Sequence, residues 1–135
     1  MTPLLYSCSP ALPRSAFLSA LNRLLQVVIL GAGRMGRSIG GQLALSGVDV
    51  VLYDHTEHGR ARAMDILKAE LRDLVNSKCL TIALETAALS RVRVGSTLED
   101  ATKDADLVLE AIFEDLSAKQ QLFAELNALE SLPGI

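Results

Sequence analysis

The sequence predicts an α/β fold, a doubly wound parallel sheet, from three observations. Short apolar runs alternate with segments whose apolar residues recur at helical spacing. The first run, Val27-Val-Ile-Leu30, leads straight into Gly31-Ala-Gly-Arg-Met-Gly36. The second, Val48-Asp-Val-Val-Leu-Tyr53, closes on an acid, Asp54. Strand, glycine turn, helix, strand and acid in that order form the dinucleotide fingerprint in its full context, so the fold expected is Rossmann-type.

The elements follow in order. The first strand spans 27–30. Gly31 turns the chain sharply off it, Gly33 removes a Cβ that would collide with a diphosphate on the loop, and Gly36 lets the next helix pack on the strand. That helix, over 34–46, aims its N-terminal amides and positive dipole end at the phosphates. Ala32, Arg34 and Met35 contribute backbone, and the Arg34 side chain reads as solvated. Gly47 is placed as a left-handed cap, before the strand at 48–53. A carboxylate at Asp54 accepts hydrogen bonds from a ribose 2′-OH and repels a 2′-phosphate, which favours NAD over NADP. Arg60 and Arg62 look like part of a solvated face rather than a phosphate site. The glycine loop by itself also fits FAD.

A long helix over 57–76 is predicted from the stripe Met64, Leu67, Leu71, Leu74 and Val75. A short helix over 80–90 turns Ile82 and Leu89 inward. Arg91-Val-Arg-Val94 alternates as a third strand. Ser96-Thr-Leu-Glu99 has capping-box form and starts a brief helix. Leu107-Val-Leu-Glu-Ala-Ile112 is apolar enough for a strand buried on both faces. A final helix over 117–129 turns Leu122, Phe123, Leu126 and Leu129 to one side, and Pro133-Gly134 stops it. Right-handed crossovers give the strand order 3-2-1-4, with the ligand at the switch between strands 1 and 4. The sheet is incomplete, and the outer edge of strand 4 is left open to self-association.

Composition bounds the rest. At 135 residues, half of them hydrophobic, the chain holds one core. Its net charge of −3 gives no case for nucleic acid, and no apolar run is long enough to span a membrane. Residues 1–48 carry four arginines and no acid, leaving nine bases against sixteen acids beyond, a net −7. The first 24 residues fit an organelle transit peptide, and equally a leader or loose terminus; residues 25–135 form the dinucleotide-binding domain. Cys8 and Cys79 have no metal spacing and suit a reducing compartment, so the cytoplasm is expected, with the mitochondrial matrix as alternative.

The glycine loop, Asp54 and the segment Ala105-Asp-Leu-Val-Leu-Glu-Ala-Ile-Phe-Glu-Asp-Leu-Ser-Ala-Lys-Gln-Gln-Leu-Phe-Ala-Glu-Leu126 together resemble the NAD-binding domain of the 3-hydroxyacyl-CoA dehydrogenases. The E-A-I-F-E-D-L-x-x-K-x-x-L-F stretch is its most specific part. The resemblance implies NAD as cofactor and oxidation of the 3-hydroxyl of an acyl-CoA. It puts Glu114 and Lys119 near the nicotinamide half, flanked by Ala111 and Ile112 at the mouth of strand 4. It also implies that the catalytic histidine, glutamate, serine and asparagine lie beyond Ile135, so no catalytic residue is expected within the chain and an acyl-CoA is bound only with a C-terminal domain. His55 and His58 follow strand 2 at the adenosine end, out of reach of chemistry at strand 4. Glu70 stands where the family commonly has a serine, and Ser77 at a lysine position with Lys78 adjacent. These departures leave room for a lambda-crystallin-like hydroxy-acid dehydrogenase, or for a non-catalytic dinucleotide-binding module.

Overall fold

A computed structural model describes residues 25–129; the expected leader and the stop at Pro133-Gly134 lie outside the described residues. The elements run β1 (Gln26–Leu30), α1 (Arg34–Leu45), β2 (Asp49–Tyr53), α2 (Glu57–Asn76), α3 (Ile82–Leu89), β3 (Val92–Val94), α4 (Leu98–Thr102), β4 (Leu107–Glu110) and α5 (Leu116–Asn127). The four strands form one parallel sheet in the order β3-β2-β1-β4. Leu30 pairs with both Tyr53 and Glu110, so β1, β2 and β4 end level. The residues that follow each strand therefore emerge side by side along one rim.

The two-residue period of a strand divides the core. Val27, Ile29, Val50 and Leu52 face a cluster with Ala44, Ala63, Leu67, Leu71 and Ala88, contributed by α1, α2 and α3. Val28, Leu30 and Val51 face the opposite cluster, where Ala101 and Leu126 belong to α4 and α5. Helices on both faces explain why β1 and β2 are unbroken apolar runs rather than alternating ones. Each fully buried Ile or Leu in these strands contributes about 1.5–3 kcal/mol by leaving water.

Helix ends follow local chemistry. At the end of α1, Gly47 takes φ +93° and closes a double cap, Gly47 N–H to the Ala44 carbonyl and Val48 N–H to that of Leu43, both 3.0 Å. The end of α2 repeats this pattern with Lys78 at φ +63° in the glycine position; Lys78 N–H reaches Val75 and Cys79 N–H reaches Leu74.

Four expectations are corrected. The cap of α4 is Thr97, whose hydroxyl accepts from Asp100 N–H, and not Ser96. Asp100 rather than Glu99 takes the return bonds, from the Ser96 amide and hydroxyl, because Arg93 on β3 also holds its carboxylate. In α3, Ile82 is 60% exposed; Glu85 and Ala88 face inward instead, and Glu85 accepts from Arg72 Nε of α2 at 2.9 Å. Phe123 is exposed on α5, one step around the helix from the Leu122, Leu126 and Leu129 contact. Finally, β4 is not buried on both faces: it is a sheet edge, its Val108 and Leu109 are half-buried, and Leu107 is exposed.

Candidate dinucleotide site

The rim where β1, β2 and β4 end together opens into a crevice of about 410 Å³, lined by Gly31, Gly33, Arg34, Met35, Asp54, His55 and the 111–114 segment. That volume falls within the usual range for small-ligand pockets. Gly31 sits at φ +109°, and its amide donates to the Tyr53 carbonyl at 2.7 Å. A Cβ there would lie 2.6 Å from the Ala111 carbonyl oxygen, and one at Gly36 would run into the Gly31 carbonyl. Both glycines are therefore required by close backbone packing. Gly33 is different: a Cβ there would meet no protein atom within 4 Å. The protein gives no packing reason for a glycine at 33, and the space beside it is open.

The N-terminus of α1 is chemically bare. Gly33 caps it without a side chain, and its first turn holds no acid. The other four described helices each have a side-chain cap, from Thr56, Thr81, Thr97 and Asp115. The free amides of the first turn and the helix dipole thus present unneutralised positive potential to the crevice.

Asp54 emerges from β2 beside this terminus with its side chain 17% exposed. Its Oδ2 accepts the Ala32 amide at 3.1 Å, and its Oδ1 accepts the Thr56 amide at 2.9 Å and the Thr56 hydroxyl at 2.7 Å. Partial burial pushes its pKa up, but these bonds, led by the Thr56 amide and hydroxyl, together with the Ala32 amide and the nearby His55 ring, outweigh it. The carboxyl is held below its ordinary value. An ionised acceptor therefore stands at the crevice throughout the neutral range.

Of the residues singled out from sequence, Gly31, Gly33, Arg34, Met35, Asp54, Ala111, Ile112 and Glu114 line the crevice. Ala32 and Gly36 are buried beneath it. Lys119 does not line it: its ammonium bridges Glu114 Oε1 at 2.8 Å and Glu110 Oε2 at 3.4 Å. The hydrogen bond that Lys119 donates to Glu114 raises the Lys119 pKa against partial desolvation. Glu110 also accepts the Ile112 amide at 2.7 Å, shaping the turn that leaves β4.

Several residues of the site were not legible from the motif. Gly59, in the first turn of α2, is needed because a Cβ there would lie 2.5 Å from the Asp54 carboxylate. A glycine inside a helix where alanine is the better former was the available signal. Arg60 is not simply part of a solvated face: it donates to the carbonyls of Asp54 and His55 at 2.7 and 3.1 Å and lies over the Tyr53 ring. His55 shares the crevice wall with Ile112 and Phe113, and all three line a smaller adjoining cavity of about 200 Å³ with Ala118, Gln121 and Leu122. The loops after β2 and β4 are thus closer neighbours than their separation in sequence order implies.

A parallel sheet, an uncapped helix N-terminus at the β1/β4 switch and a fixed carboxylate at the end of β2 define a Rossmann-type dinucleotide-binding domain. The family is narrower than that class. Residues 26–132 match the model of the 3-hydroxyacyl-CoA dehydrogenase NAD-binding domain, and the chain belongs to that family. A probable 3-hydroxyacyl-CoA dehydrogenase of Caenorhabditis elegans is 30% identical over 126 residues, 90% of this chain and 41% of that protein. A 3-hydroxybutyryl-CoA dehydrogenase of Bradyrhizobium diazoefficiens is 36% identical over 104 residues, 77% of this chain and 35% of that protein. The crystal structure of (S)-3-hydroxybutyryl-CoA dehydrogenase PaaH1 from Ralstonia eutropha superposes with a TM-score of 0.72 at 27% identity, covering 78% of this chain and 37% of that one. The chain spans about two fifths or less of the length of these relatives.

Proposed function

We propose that the crevice holds NAD and that the chain is the cofactor-binding part of an oxidoreductase acting on the 3-hydroxyl of a 3-hydroxyacyl-CoA. The bare N-terminus of α1 beside the open space at Gly33 carries this reading. Amides of Gly33, Arg34 and Met35 bind the diphosphate, with Gly31, Ala32 and Gly36 setting the turn that aims them. Asp54 accepts from the adenosine ribose. Ala111, Ile112 and Glu114 border the second nucleotide at the mouth of β4, and Lys119 holds Glu114 in place. Bound there, NAD would supply the hydride acceptor; the proton acceptor and most of the acyl-CoA site would come from the part of the relatives that this chain does not span.

The test is calorimetry with NAD and NADP on the wild-type protein and on Gly33→Val. NAD binds more tightly than NADP, and the valine removes binding with little change in melting temperature. Equal binding by the two proteins overturns the assignment.

A second reading, a hydroxy-acid dehydrogenase, is favoured by Glu70, whose carboxylate is committed to Arg37 within the groove between α1 and α2. Assay of the full enzyme with acyl-CoA and free hydroxy acids separates the two. The position of β4 as the outer strand among the described residues supports self-association. Among the described residues no helix is long and apolar enough to cross a membrane; we place the protein in the cytoplasm, with the mitochondrial matrix as the alternative, and a fusion of residues 1–24 to a fluorescent protein decides between them.

A further inference from the structure

We infer that Arg37 and Glu70 are positioning residues that set the orientation of the phosphate-binding loop, so that the long helix α2 controls dinucleotide affinity. The inference rests on the NAD reading of the crevice. Arg37 lies on α1 with its side chain only 13% exposed. One arm, Nη1, donates to the Ala32 carbonyl at 2.9 Å, at the heart of the glycine loop. The other side of the guanidinium meets Glu70 of α2 with two bonds, Nη2 to Oε1 at 3.0 Å and Nε to Oε2 at 3.4 Å. A forked pair of this kind fixes the plane of the guanidinium as well as its position.

The consequence follows from peptide geometry. No peptide bond among the described residues is cis, and in a trans peptide the carbonyl and the next N–H point in opposite directions. Arg37 draws the Ala32 carbonyl away from the crevice, so the Gly33 N–H is turned toward it. No protein acceptor among the described residues takes that N–H. The amide of Ala32 is tied to Asp54 at the same time. Both polar groups of Ala32 are therefore anchored, one through the β2 acid and one through the α2 acid. With only the first anchor, the Ala32–Gly33 peptide plane is free to rotate and its donor leaves the diphosphate.

Charge and orientation predict opposite signs at Glu70, which makes the inference testable. Glu70 is a negative charge near the anion site; if charge alone mattered, removing it tightens NAD binding. If it positions the loop, removing it weakens binding. Dissociation constants for NAD are measured for Glu70→Ala, Glu70→Gln, Arg37→Ala and the double alanine variant, with the 15N shift of the Gly33 amide as an independent readout. Glu70→Ala is expected to bind about tenfold more weakly, the size of effect found for coupled neighbours. Glu70→Gln keeps an acceptor for Arg37 and stays within about threefold of wild type by the same reasoning. The double variant is no weaker than Arg37→Ala, and the Gly33 amide shifts in every alanine variant. Unchanged or tighter binding in Glu70→Ala overturns the inference, and this variant, at a 39% exposed side chain, leaves the core untouched even if Arg37→Ala fails to fold. Wild-type protein that binds NAD no better than Gly33→Val defeats the cofactor reading itself, and the present inference falls with it.

Discussion

The Asp54 carboxylate accepts the Ala32 amide at 3.1 Å, joining the end of β2 to the glycine loop after β1. The acid that would read the ribose is thereby also a brace for the glycine loop. Asp54→Ala should lower NAD affinity about 10- to 100-fold, the worth of a hydrogen bond to a charged group plus a loosened loop. Because the carboxyl is held below its ordinary pKa, it stays ionised across the neutral and mildly acidic range. NAD affinity read by titration calorimetry should be flat there and fall only in stronger acid. An affinity that falls between pH 7 and 5 in step with histidine protonation would contradict this.

Gly59→Ala is a helix-favouring substitution in isolation, worth about 0.8–1 kcal/mol. Here it forces the Asp54 carboxylate to move, since the new methyl would sit 2.5 Å from it. Weaker NAD binding without any gain in thermal stability is the expected result. A stabilised protein with wild-type affinity would show that the carboxylate tolerates the displacement.

Lys78 holds a left-handed conformation that glycine adopts without steric cost. Lys78→Gly keeps both capping hydrogen bonds and should raise stability by about 0.5–1 kcal/mol in urea unfolding. The same substitution at Gly47 is already made by the native sequence, so Gly47→Ala should destabilise by a similar amount.

Asp100 has its pKa lowered to about 2, chiefly by the Ser96 amide, against slight desolvation, with Arg93 adding to the shift. Its depressed value means that it contributes stability above its ordinary pKa of 3.8, which is lost as pH falls through about 2. Urea unfolding of Asp100→Asn should therefore show a shallower loss of stability over that acid window, and about 1 kcal/mol less stability at neutral pH. Parallel pH profiles for variant and wild type would rule out the assignment.

Among the described residues β4 is the outer strand of the sheet, and it carries exposed Leu107. Sedimentation should show concentration-dependent association of the protein, weakened by Leu107→Lys, because a charge on an edge strand opposes pairing. A monomer at every concentration tested removes the edge as an interface.

The features legible in the chain were those with a short-range cause. Gly47 was recognisable because a helix must end on a residue that accepts positive φ. Asp54 was recognisable because it closes an apolar run at a fixed distance from the glycines. Misreadings arose where a neighbour distant in sequence decided the outcome. Ser96 and Glu99 lost the capping role to Thr97 and Asp100 because Arg93 comes in from β3. Ile82 yielded the inward position to Glu85 because Arg72 on α2 pairs with one of its carboxylate oxygens, Oε1.

The order of strands, the position of the glycine loop and the acid beside it were set by local pattern: side-chain period, glycine placement and the handedness of crossovers. Tertiary structure alone decided how that loop is held. The Ala32 peptide is anchored by Asp54 from one direction and by Arg37 and Glu70 from another, and these contacts span 22 and 33 residues of chain. No periodicity encodes them, because hydrogen-bond direction depends on the relative placement of whole elements, which exists only after the helices have packed on the sheet.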